Sequence, residues 1–195
     1  MKKDIILAGV GGQGILSIAA VIGMAAIEND LFVKQAEVHG MSQRGGAVQS
    51  HLRLSDQPIH SDLIPAGNCD MILSVEPMES LRYLPFLSEQ GWLITNAKPF
   101  INIKDYPEED ELYGEIRKIK NSLLINADAI AAEVGTRKVS NIVMLGAASD
   151  YLDIAFSSLE RSIEAIFGNK GEEIVKMNID ALKAGKKAAR VQAES

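Results

Sequence analysis

Residues 4–27 read DIILAGVGGQGILSIAAVIGMAAI, and two kinds of patterning meet in them around a glycine turn. Asp4 to Ala8 is a short apolar run closed by Gly9, which has the length and boundary of a buried strand. After Gly14 the apolar residues continue to Ile27, too long for a strand, and this predicts a helix. Between them, Gly9-Val10-Gly11-Gly12-Gln13-Gly14 satisfies G-x-G-x-x-G at the strand-to-helix position where that pattern carries meaning. Glycines here permit a tight turn and a close backbone approach to a ligand. The free N–H groups and positive dipole end of the following helix favour an anion such as phosphate or pyrophosphate. The same glycines also serve close packing of the helix on a sheet, and both readings stand. A dinucleotide asks in addition for an acid ending the second strand, and Glu37 lies near the expected spacing of roughly 20 residues.

Working outward, Leu31 to Val38 predicts a second strand that returns parallel after the helix. Ala47 to Leu54 alternates Val48, Ser50, Leu52 and Leu54 with Gln49, His51 and Arg53, the pattern of a half-buried strand nearer an edge. Met71 to Val75, Trp92 to Asn96 and Leu123 to Asn126 predict further strands separated by stretches of helical length. Repeated alternation means an α/β fold, a Rossmann-like and mostly parallel sheet flanked by helices. Beyond Ala127 the strand signals fade. Asn141 to Leu152, Ser157 to Phe167 and Glu172 to Arg190 have helical spacing, so the C-terminal third is expected to be helical. Asp56 to Asn68 and Lys98 to Asp110, each with two prolines, read as surface loops. With 195 residues, 47% of them hydrophobic, residues 1–195 fit one domain.

A second glycine-punctuated loop, His39-Gly40-Met41-Ser42-Gln43-Arg44-Gly45-Gly46, follows the second strand. On a parallel sheet it would emerge on the same carboxyl edge as the first turn, where open α/β sheets bind ligands. Arg44 offers a planar cationic fork to a carboxylate or phosphate, and Ser42 and Gln43 offer hydrogen bonds. The plainer alternative is that Gly45 and Gly46 only turn the chain and Arg44 is solvated.

Composition removes several classes of function. The chain has 20 basic and 26 acidic residues, a net charge of −6, which argues against a nucleic-acid surface. Cys69 is the single cysteine, so this chain alone holds no disulfide, Cys₄ zinc site or iron–sulfur cluster, and a reducing compartment is expected. No membrane span and no signal-peptide pattern is legible, and a cytoplasmic location is expected. His39, His51 and His60 lack the spacing of a metal pair. No serine sits in a nucleophile elbow, and no catalytic side chain can be named. Lys183, Lys186, Lys187 and Arg190 read as the solvated, dipole-complementing end of the last helix. Two helical segments, 15–27 and Val139 to Ser149, have almost no polar face. Either the two bury each other or a partner does: internal burial is expected for each helix taken alone, and a partner surface for the pair, since one small domain buries only so much.

The GVGGQG turn, the EVHGMSQRGG loop (37–46), the AVQSHLRLS strand (47–55) and the NIVMLGA helix (141–147) together resemble the small γ-type subunit of the 2-oxoacid:ferredoxin oxidoreductases. Within that family the likeness is greatest to the two-subunit indolepyruvate type. The resemblance covers nearly the whole chain and implies oxidative decarboxylation of a 2-oxoacid on thiamine diphosphate. Electrons would pass through iron–sulfur clusters to ferredoxin, and coenzyme A would accept the acyl group. It further implies that thiamine diphosphate, magnesium and the clusters belong to a large partner subunit. Gly9, Gly11, Gly12, Gln13, Gly14, Ser42, Gln43, Arg44, Gly45 and Gly46 match the family's marks and are the candidate binding residues, with coenzyme A at the subunit interface. Two other readings compete: a stand-alone NAD(P)- or flavin-binding oxidoreductase, and a non-catalytic assembly subunit. The purified chain is expected to bind neither iron nor thiamine diphosphate. Stoichiometric iron by elemental analysis, or micromolar thiamine-diphosphate binding by calorimetry with magnesium, would contradict this.

Overall fold

Every residue from Asp4 to Val10 is buried, and this run forms an interior strand of a six-stranded sheet. The computed structural model describes residues 1–39 and 45–194, His39 by its backbone alone. The strands are β1 (Lys2–Val10), β2 (Phe32–His39), β3 (Ala47–Ser55), β4 (Cys69–Ser74), β5 (Leu87–Asn96) and β6 (Ser122–Ile125). The helices are α1 (Ile15–Glu28), α2 (Pro77–Arg82), α3 (Glu109–Arg117), α4 (Ala127–Val134), α5 (Ser140–Ala148), α6 (Phe156–Phe167) and α7 (Glu172–Ala193). The strand order is β2-β3-β1-β4-β5-β6, with β1, β4, β5 and β6 mutually parallel and β3 antiparallel to both of its neighbours. The mostly parallel sheet and the helical C-terminal third match the sequence expectation.

Two details of the sheet differ from it. β3 is an interior strand, paired on both edges, and β2 takes the edge; the polar half of the alternation in β3 meets protein groups. Arg53 grips buried Asp4 through Nε and Nη2 at 2.7 and 3.0 Å, and buried His51 accepts the Ile64 N–H at 3.0 Å on Nδ1. Secondly, β2 runs in the direction of β1 without touching it, since β3 fills the place between them.

One face of the sheet packs Ile5, Leu7, Met71, Leu73 and Ile94 under α1 and α5. The other packs Ile6, Ala8, Ile72 and Leu93 with Ile64, Tyr83 and Ile116. Helix α5 is buried from Asn141 to Ala148, so the partner surface expected of the pair does not include it: this chain covers it completely, as expected of the helix taken alone. That needs unusually close backbones. A Cβ on Gly146 would stand 2.0 Å from the Leu182 carbonyl oxygen, and one on Gly185 would stand 1.9 Å from that of Val143. Two glycines thus let α5 and α7 touch main chain to main chain, and α7 closes the side of α5 turned away from the sheet.

Gly146→Ala or Gly185→Ala should therefore destabilise the chain by at least about 2 kcal/mol through overpacking, lowering Tm by roughly 4 to 8 °C. Gly114→Ala, in a helix interior with nothing within 4 Å, is the control and should be neutral or slightly stabilising. Equal melting of all three would contradict the helix-contact account.

Candidate functional site

The parallel strands β1 and β4 are neighbours, yet the helices that follow them leave to opposite faces, α1 onto one and α2 onto the other. Such a divergence opens a crevice at the carboxyl edge of the sheet. The glycine turn stands at that edge. Gln13 N–H bonds the Val10 carbonyl at 3.1 Å, and the Gln13 Oε1 accepts the Val10 N–H at 2.8 Å, so this side chain holds the turn closed. Gly14 adopts the left-handed conformation (φ 80°) and caps α1, which has no side-chain cap and no acid in its first turn. Its carbonyl accepts Nδ2 of Asn141 at 3.1 Å, and a Cβ on Gly14 would lie 2.5 Å from that nitrogen. The start of α5 is thereby fixed against the start of α1.

The second glycine loop meets the first through main-chain bonds. Gly11 N–H donates to the Gly46 carbonyl at 2.9 Å, and Gly45 N–H approaches the Gly11 carbonyl at 3.5 Å. Asn102 Nδ2 also donates to the Gly45 carbonyl at 2.6 Å, joining a third segment, residues 97–108, to the edge. That segment hangs from Glu76, a wholly buried carboxylate just beyond β4. Glu76 accepts the N–H groups of Glu79 at 2.8 Å and Phe100 at 3.3 Å, and the hydroxyl of Tyr106. Burial first and then this bond raise the Tyr106 phenol well above its ordinary range, which keeps it a donor. Ser42, Gln43 and Arg44 lie outside the described residues, so of the second loop's candidates only Gly45 and Gly46 are located.

On the α5 side of the turn is a cleft of about 530 Å³, within the range of small-molecule sites. Gly12, Gln13, Gly14 and Ser17 line one wall; Thr136, Arg137, Lys138 and Asn141 line another. Phe167, Ile174 and Met177 add an apolar surface. Arg137 and Lys138 are exposed and make no ion pair among the described residues, whereas Lys170 lies over the Phe167 ring at 5.1 Å. Three cationic residues and one carboxylate, Asp128, line this cleft in a chain whose net charge is −6. The carboxylate is engaged by Asn96 Nδ2 at 2.8 Å.

Sequence reasoning missed Arg137 and Lys138. The signal was local: a glycine, a capping threonine whose Oγ1 accepts the Lys138 N–H, and a basic pair just ahead of an all-apolar helix. Glu37 is two strands from β1, opposite Ser50 of β3, and lines a separate hollow of about 320 Å³ on the other side of the turn. A dinucleotide fingerprint needs the acid on the strand next to β1. Here β3 occupies that place.

Cys69 is buried, and its thiol donates toward the Met71 carbonyl at 3.0 Å. Burial pushes its pKa up to about 12, which removes it as a thiolate ligand. Among the described residues no group of three or more His, Cys, Asp or Glu is placed to hold a metal, and no helix is long and apolar enough to cross a membrane. Along the second half of α7, Lys183 pairs with Glu160, while Lys186 and Arg190 both pair with Asp150.

The family model for pyruvate ferredoxin/flavodoxin oxidoreductase matches residues 4–188. Subunit IorB of indolepyruvate oxidoreductase from Archaeoglobus fulgidus is 38% identical over 192 residues, covering 95% of this chain and 94% of the relative. In structure, the keto/oxoacid ferredoxin oxidoreductase γ subunit of Geobacter sulfurreducens matches with a TM-score of 0.70 at 24% identity, over 97% of this chain and 99% of that one. The 2-oxoglutarate:ferredoxin oxidoreductase of Magnetococcus marinus, solved with 2-oxoglutarate, coenzyme A and succinyl-CoA bound, matches with a TM-score of 0.77 at 21% identity. That match covers 97% of this chain but only 31% of the Magnetococcus chain, so the chain spans about a third of it. At such identities the structural likeness establishes a common fold.

Glu76→Gln removes one of the carboxylate oxygens that together hold three donors, so the 97–108 segment should loosen. Hydrogen exchange is expected to quicken at Phe100 and its neighbours while β4 stays protected, with a stability loss of about 1 to 3 kcal/mol. Unchanged exchange in the segment would show that Glu76 does not anchor it.

Proposed function

Because the chain belongs to the pyruvate ferredoxin/flavodoxin oxidoreductase family, we propose that it is the small subunit of a 2-oxoacid:ferredoxin oxidoreductase of the aryl-pyruvate (indolepyruvate) type. In this reading the large subunit holds thiamine diphosphate, magnesium and the iron–sulfur clusters, decarboxylates the oxoacid and passes electrons to ferredoxin. The small subunit closes the active site and receives coenzyme A. Its own residues bind and orient the acyl acceptor. The aryl-pyruvate assignment is supported by the Archaeoglobus relative, whose 38% identity extends over nearly the full length of both chains.

The observation that carries the coenzyme A reading is the charge arrangement at the carboxyl edge. Arg137 and Lys138 lack carboxylate partners among the described residues and share a cleft with the start of α1, which has no side-chain cap. A helix terminus alone favours an anion by about 0.3 to 1 kcal/mol. A charge-assisted hydrogen bond contributes about 1.5 to 3 kcal/mol, so the basic pair and not the dipole would set the affinity. Coenzyme A combines clustered phosphates with apolar parts, and the cleft combines cations with Phe167, Ile174 and Met177. The displacement of Glu37 from β1 favours this over a dinucleotide.

Arg137→Ala and Lys138→Ala together are expected to raise the KM for coenzyme A about tenfold or more in the assembled enzyme. kcat at saturation should be nearly unchanged, and Arg137→Lys should recover part of the loss. Arg44→Ala tests the second loop in the same assay. Because the cations are exposed, the effect should shrink as salt is raised toward 1 M. A coenzyme A dependence untouched by all three replacements in an intact complex, or tight NAD binding by the chain alone, would contradict the proposal.

A further inference from the structure

Helix α1 is covered on one side only. Ile18, Ala19, Val21, Ile22, Ala25 and Ala26 are buried, whereas Leu16, Ala20, Met24 and Ile27 are exposed, Leu16 by 53% and Ile27 by 65%. These four fall at i, i+4, i+8 and i+11, a single stripe along the helix. No charged residue occurs between Gly14 and Glu28, so nothing on this face is held toward water by an ion. The outer face of a surface helix normally carries polar and charged residues. Helix α5, equally apolar, is covered entirely by its own chain, and α1 is not.

The occupant is indicated by how this fold is distributed among longer and shorter chains. It makes up 99% of the Geobacter γ subunit and 31% of the Magnetococcus chain. A domain that stands alone in one relative and is continuous with further chain in another has a surface on which the rest of the enzyme packs. The α1 stripe also reaches the ligand edge, since Leu16 lines the hollow beside Gly11, Gly12 and Val48. A subunit lying along α1 would therefore arrive at the turn, where an acyl acceptor has to meet the chemistry. We propose that the Leu16–Ala20–Met24–Ile27 stripe is the seat of the large, cofactor-bearing subunit. This rests on the assignment of the chain as a small subunit.

The test uses the 195-residue chain and its cognate large subunit. Met24→Glu and Ile27→Glu together place charge on the stripe, away from the turn, at positions already exposed. The double variant should melt like the parent and retain coenzyme A binding in calorimetry, yet bind the large subunit at least roughly tenfold more weakly in analytical ultracentrifugation. Milder Met24→Ser with Ile27→Ser should fall between. Undiminished association by the glutamate variant overturns this inference while leaving the small-subunit assignment intact. A parent chain that does not associate with the large subunit overturns both. Self-association of the parent that the glutamates abolish, with the heteromer unaffected, would make a second copy the occupant and overturn the proposal.

Discussion

The contact on which the rest of this structure depends is the main-chain touch between α5 and α7 at Gly146 and Gly185. It allows a helix with no polar face to be buried on every side by its own chain. Once α5 is fixed between the sheet and α7, Asn141 at its start is fixed too, and with it the bond to the Gly14 carbonyl. Gly14 in turn is the left-handed hinge between the glycine turn and α1. Arg137 and Lys138, immediately before α5, thereby acquire a defined place in the cleft bordered by the turn. Core packing and the ligand edge are in this sense one construction.

The edge is also organised by charge. Most carboxylates near functional elements are already occupied: Asp4 by Arg53, Asp128 by Asn96, Glu76 by two amides and a phenol, Asp150 by Lys186 and Arg190. With the acids engaged, the basic pair stands out against a negative chain. On the proposed reading, that contrast would direct a phosphate-bearing ligand to one side of the turn. The hollow on the other side, lined by Ile15, Leu16, Val48 and Glu37, offers no cation among the described residues. The turn is thus a ridge between two unlike surfaces, a cationic cleft and a largely apolar border that continues down α1.

Much of the fold was legible in the sequence because local patterning and tertiary role coincide there. The apolar run through Ala8, the glycine turn and the long apolar segment after it became β1, the turn and α1 with nearly the expected bounds. Strand order was not legible. Alternation in β3 reports which side chains are polar, not whether the polar ones face water or a buried partner such as Asp4, so an interior strand read as an edge. The burial of α5 was equally hidden, since it depends on glycines 39 residues apart, at 146 and 185, whose meeting no local pattern announces. At the site, the glycine motifs and their shared edge were visible, but their pairing through Gly11 and Gly46 was not, because it extends the antiparallel ladder of β1 and β3. The basic pair was not visible, because its meaning comes only from α5 placing it across the turn.

We propose that the cleft between the glycine turn and the start of α5 receives the phosphates of the acyl acceptor. The most direct test is a structure of the assembled enzyme with coenzyme A bound. Phosphate density is expected between the first turn of α1 and the side chains of Arg137 and Lys138. Coenzyme A bound wholly on the large subunit, with both side chains left in solvent, would contradict it.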